Sequence, residues 1–125
     1  MKVNFNVALK DSRRNDTYNT IEVIEKGVKV EKLEKVLLRD LIAHSLYAGT
    51  SLEYANDPDK DRAIKLKAYR LSEKISASEG PINITCEEVV LIRQAANGYQ
   101  AAGTYAQIMN LVEEKEDEDG TTTSK

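Results

Sequence analysis

The hydrophobic period of this 125-residue chain changes once, between Val30 and Leu37. Before that point apolar residues recur at every second position, and after it at every third or fourth. Strands and helices require these different periods, so strands come first and helices follow.

Val3, Phe5, Val7 and Leu9 alternate with Lys2, Asn4, Asn6 and Ala8, the pattern of a half-buried strand. Asp11 to Asp16 has no apolar residue and reads as a turn that reverses the chain. Thr17 to Glu25 is rich in Thr, Ile, Val and Tyr; Lys26-Gly27 interrupts, and Val28-Lys29-Val30 resumes the alternation, which predicts a hairpin turning near Gly27. From about Leu33 the spacing of Leu33, Val36, Leu37, Leu41, Ile42, Ser45 and Ala48 predicts a helix that stops at Gly49.

Asp57 before Pro58, with Asp59 and Asp61 behind, predicts a second helix from Pro58 to about Ser78, with Ile64, Ala68, Leu71 and Ile75 on its apolar stripe. Ile82 to Ile84 reads as a short extended link. Thr85 and Glu88 have capping-box spacing and open a third helix that buries Val89, Ile92, Ala95 and Ala96 and stops at Asn97-Gly98. A last helix, capped by Thr104, carries Tyr105, Ile108, Met109, Leu111 and Val112. The expected fold class is α+β: an N-terminal β-hairpin or three-stranded antiparallel sheet followed by about four helices, which cover one face of the sheet and one another.

Charge divides the chain in two. Its formal net charge is −3, yet positions 113–125 hold six acidic residues and two lysines, leaving 16 basic against 15 acidic residues over 1–112. A single α+β domain over 1–112 is expected, with 113–125 as an acidic, disordered tail. No apolar run reaches the roughly 20 residues of a membrane span, and the alternating N-terminus is unlike a signal peptide, so neither membrane nor export is indicated. One cysteine, Cys86, cannot form an internal disulfide, which agrees with a reducing, cytoplasmic setting.

Few residues offer chemistry. His44 and Cys86 are the only histidine and the only cysteine, and a nucleophile needs its base within hydrogen-bond reach. Cys86 at the start of the third helix and His44 near the end of the first are explained by packing and helix ends. One of each cannot build a closed zinc site, the acidic tail lacks EF-hand spacing, and the six glycines form no phosphate-cradling pattern. Asp59 with Asp61, and Glu87 with Glu88, are explained by helix starts. No enzyme activity, cofactor or metal is expected.

Two binding surfaces remain. Lys60, Lys67, Arg70 and Lys74 make a basic strip on the second helix, and Arg13-Arg14 a basic loop, the candidates for nucleic-acid contact. Asp59, Asp61 and Glu73 interrupt the strip, and no aromatic platform accompanies it. Protein contact or self-association is the favoured alternative, because six tyrosines stand in a chain with no Trp and one Phe. Tyr54 and Tyr99, both in links, are expected to be exposed at an interface.

The segment order "KVNFNVALKD", "KVLLRDLIAHSLYAG", "DKDRAIKLKAYRLSEKI" and "INITCEEVVLIRQAA", with a short final helix, resembles a loose class of short proteins encoded by tailed phages and prophages. The resemblance covers residues 1 to about 112 and carries no catalytic motif. It implies expression in a bacterial host cytoplasm and a non-enzymatic accessory or assembly role. It also motivates an alternative, a small-ligand (nucleotide) binding protein acting against host defence through Arg13, Arg14 and the tyrosines.

Overall fold

The computed structural model describes the backbone of residues 1–120 and the side chains of residues 1–113. Among the described residues, four strands and four helices follow in the order β1 (Lys2–Val3), β2 (Tyr18–Glu25), β3 (Val28–Lys35), α1 (Leu38–Ala48), α2 (Pro58–Ser76), β4 (Ile82–Asn83), α3 (Cys86–Ala96) and α4 (Ala102–Gly120). The α+β class and the four helices are as the periodicity predicts. The helical backbone of α4 runs into the acidic segment, while the disorder expected at the chain's end concerns side chains from 114 and backbone from 121, which lie outside the described residues.

The strands form two two-stranded antiparallel sheets, β1 with β4 and β2 with β3. The N-terminal segment does not extend the hairpin into a regular third strand. Val7 N–H turns back onto the Phe5 carbonyl at 2.8 Å, a γ-turn-type bond that ends the regular ladder. On one side of this break, Lys2 and Val3 pair with Asn83 and Ile82, so the link expected at 82–84 supplies a strand. On the other, Leu9 wedges into the base of the hairpin: its N–H donates to the Val36 carbonyl at 2.9 Å, and its carbonyl accepts from Thr17 N–H at 3.0 Å.

The helix onset also moves. β3 continues to Lys35, and α1 starts at Leu38, so Leu33 and Val36 belong to the strand and its exit instead of the helical stripe. Pairing of Leu33 with Thr20 in the hairpin holds it extended.

Val3 and Phe5 enter a core built from Leu38, Ile42 and Leu46 of α1, Leu71 and Ile75 of α2, Val89 and Ile92 of α3, and Ile108 and Val112 of α4. Helix α1 is its centre and packs on α2, α3 and α4. Each such side chain contributes about 1.5–3 kcal/mol on leaving water. Two of the caps act as their spacing predicts: the Asp57 side chain accepts from Asp59 N–H at 3.0 Å, and Thr85 and Glu88 form a complete capping box. Thr104 does not cap the last helix, because α4 already starts at Ala102 and places Thr104 inside its first turn. Gly49, at φ 69°, takes the left-handed conformation that ends α1 and donates its N–H to Ser45 at 3.0 Å.

The helices therefore cover β1, β4 and one another, and they leave the hairpin uncovered. Among the strands and helices, β2 and β3 make their contacts almost wholly with each other.

Candidate interaction surface

The hairpin is a projecting arm. Lys26 (φ 53°) and Gly27 (φ 80°) form a two-residue turn with both central residues in the left-handed region, the type I′ geometry that matches strand twist. Opposite residues share a face, so Tyr18, Thr20, Glu22 and Ile24 stand on one side with Lys35, Leu33, Glu31 and Lys29. Asn19, Ile21, Val23 and Glu25 stand on the other with Glu34, Lys32, Val30 and Val28. Apolar side chains occur on both faces, and Ile24 (73%), Leu33 (70%), Val28 (61%) and Tyr18 (52%) are exposed. Their exposure, on both faces, shows that neither face of the hairpin rests on a core.

Charges organise the arm's two ends. Lys32 pairs with Glu25 toward the tip. At the base, Asp16 takes Lys10 on one carboxylate oxygen and Lys35, at 3.2 Å, on the other. Hydrogen bonds from Lys10 and then Lys35 hold the Asp16 carboxyl below its ordinary range, and Asp16 in turn raises Lys35. Midway, Glu22 lies directly opposite Glu31, a like-charge pair that weakens the hairpin.

The basic strip is drawn against α3. Lys67 reaches Glu87 at 3.2 Å and Lys74 reaches Glu88 at 3.0 Å, whereas Lys60 and Arg70 are exposed on α2. Two of the four cations thus face carboxylates instead of presenting an uncompensated field for phosphate. Arg13 and Arg14 sit in the exposed turn, where the Asp11 side chain accepts from Arg13 N–H at 2.8 Å and from Asn15 N–H at 3.0 Å.

Tyr54 and Tyr99 are half-buried, contrary to their expected exposure. Tyr54 donates its hydroxyl to the Gly49 carbonyl at 2.6 Å and lies under Lys65; Tyr99 packs on the core and donates to the Leu41 carbonyl at 2.5 Å. Burial raises the Tyr99 phenol above its ordinary range. Their links fold back on α1, which a position between two helices does not reveal. Tyr18, Tyr47, Tyr69 and Tyr105 are the exposed tyrosines among the described residues.

Tyr47 and Tyr69 meet with ring centroids 6.0 Å apart beside a groove of about 410 Å³ between α1 and α2, which His44, Asp40 and Glu73 also line. Tyr69 donates to Glu73 at 3.1 Å, which raises the Tyr69 phenol. A second groove of about 250 Å³, between α2 and α3, is lined by Ile64, Val90 and Leu91 with Lys67 and Glu87. Cys86 is exposed at the start of α3, and no described hydrogen bond joins it to His44. Among the described residues no cluster of His, Cys, Asp and Glu could hold a metal ion, and no helix is long and apolar enough to cross a membrane.

Compared with known protein families, with curated proteins and with solved structures, the chain matches none.

Proposed function

We propose that this chain is a non-enzymatic interaction protein whose hairpin β2–β3 binds another protein surface. One observation carries the reading: two eight-residue strands stand clear of the helical core with Ile24, Val28 and Leu33 in solvent. An isolated two-stranded hairpin is at best marginal in water, and an open strand edge is a template for pairing. Apolar side chains on such an arm cost solubility unless a partner covers them. The resemblance in segment order adds a setting to the proposal, a phage accessory or assembly protein working in a bacterial host cytoplasm.

Nucleic-acid binding through Lys60, Lys67, Arg70 and Lys74 is the weaker reading, because Glu87 and Glu88 already engage two of these side chains.

The test compares the full chain with Ile24→Lys/Leu33→Glu. Light scattering reports self-association, and capture from host lysate reports other partners. Loss of an association in the variant, with helical content unchanged by circular dichroism, supports the proposal. Associations identical in both proteins would overturn it.

A further inference from the structure

We infer that the arm's partner is a second copy of this chain, joined through the outer edge of β2 into a two-fold, four-stranded antiparallel sheet. The inference rests on the proposed role of the arm and adds the occupant and the register.

The phase of the hairpin fixes which groups are available. Val36 N–H donates to the Thr17 carbonyl at 3.0 Å, so residues 17, 19, 21, 23 and 25 direct their backbone groups toward β3. Tyr18, Thr20, Glu22 and Ile24 direct theirs outward, where they make no described hydrogen bond outside the hairpin.

The two edges differ in character. β3 carries Lys29, Glu31, Lys32, Glu34 and Lys35, and lysine-rich edges discourage pairing. β2 reads Tyr-Asn-Thr-Ile-Glu-Val-Ile-Glu, with no lysine and strong β-formers. It is the edge left open.

Symmetry then narrows the register. Two identical strands pair antiparallel about an axis perpendicular to the sheet, so side chains keep their faces and only residues of like parity meet. An axis at Glu22 would set Glu22 against its own copy, which like charge disfavours. An axis at Ile21 sets Ile21 against Ile21, Thr20 against Glu22 and Tyr18 against Ile24, with no like-charge pair from Tyr18 to Ile24. It also joins Val30, Val23 and Ile21 of one copy to the same residues of the other in one apolar stripe. Tyr18 against Ile24 is an aromatic and β-branched pair of the stabilising kind.

The experiment uses the full chain. Light scattering is expected to give twice the 14.0 kDa chain mass. With Cys86→Ser removing the native thiol, Ile21→Cys is expected to cross-link to itself on oxidation. Opposed residues in a non-hydrogen-bonded pair have Cα atoms about 4.5 Å apart, within disulfide range. Lys32→Cys, opposite Ile21 on the far strand, should not cross-link. Thr20→Glu places a carboxylate against Glu22 of the other copy and should weaken the dimer about tenfold. Thr20→Glu combined with Glu22→Lys should restore it.

A monomer at all concentrations without the Ile21→Cys cross-link overturns the inference, as does a dimer cross-linked only through Lys32→Cys. If such a monomer still loses a captured protein when Ile24 and Leu33 are changed, the arm reading survives and the second copy does not. If those changes alter nothing, both fall.

Discussion

Gln107 grips the backbone of Lys10 with both ends of its side-chain amide. Lys10 N–H donates to Oε1 at 2.9 Å, and Nε2 donates to the Lys10 carbonyl at 3.0 Å. The pair spans 97 positions and ties α4 to the segment wedged into the hairpin base. Gln107→Glu keeps an acceptor for the N–H but places a carboxylate oxygen against the carbonyl. It should cost about 1 kcal/mol in urea unfolding, with Gln107→Ala close behind, as for one or two partly exposed hydrogen bonds. Wild-type stability in Gln107→Glu would show that the clamp adds nothing.

The elements were legible in the sequence where the signals are local, and obscure where the partner is distant. Asp57-Pro58, the Thr85 and Glu88 pair and Lys26-Gly27 each satisfy their own neighbourhood, so their spacing identified the helix starts and the turn. Tyr99 misled because its partner, the Leu41 carbonyl, lies 58 residues away. Ile82 and Asn83 look like a link in the sequence because their pairing is with Lys2 and Val3 at the other end of the chain. The arm was half legible: alternation revealed the strands, but periodicity alone cannot say whether a strand's apolar residues meet a core.

Gly49 and Gly27 should respond differently to alanine although both have positive φ. At Gly27 an added Cβ meets nothing within 4 Å, so only left-handed strain of about 1 kcal/mol is expected. At Gly49 the Cβ would lie 3.0 Å from the Tyr54 hydroxyl, which is itself bound to the Gly49 carbonyl. Gly49→Ala must shift that ring as well and should cost more than Gly27→Ala in thermal unfolding. Equal costs would mean that Tyr54 gives way freely.

The capping box makes stability depend on pH with a defined sign. Burial works to raise the Glu88 carboxyl, but the Thr85 backbone N–H and Lys74 outweigh it, so its pKa falls below the ordinary 4.5. A carboxyl lowered in the folded state stabilises above the unfolded value and loses that contribution as pH falls through the folded one. Wild type should therefore exceed Glu88→Gln in stability near neutrality, by an amount of about 1 kcal/mol. The gap should close as pH falls from the ordinary carboxyl value of 4.5 through the lower value of the folded state. A gap independent of pH would locate the effect in shape instead of charge.

Because the arm is outside the core, its apolar residues should be replaceable without loss of fold. Ile24→Thr and Leu33→Thr place a β-branched, strand-favouring side chain at each exposed position and should change the unfolding free energy of the monomer by no more than about 0.5 kcal/mol. Ile92 and Ile42, 0% and 1% exposed among the helices, should cost about 2–5 kcal/mol each on replacement by alanine. Urea titrations at low protein concentration, where association does not contribute, make the comparison. Core-sized losses at Ile24 and Leu33 would show that the arm folds back on the helices in solution, and would remove the reason for assigning it a partner.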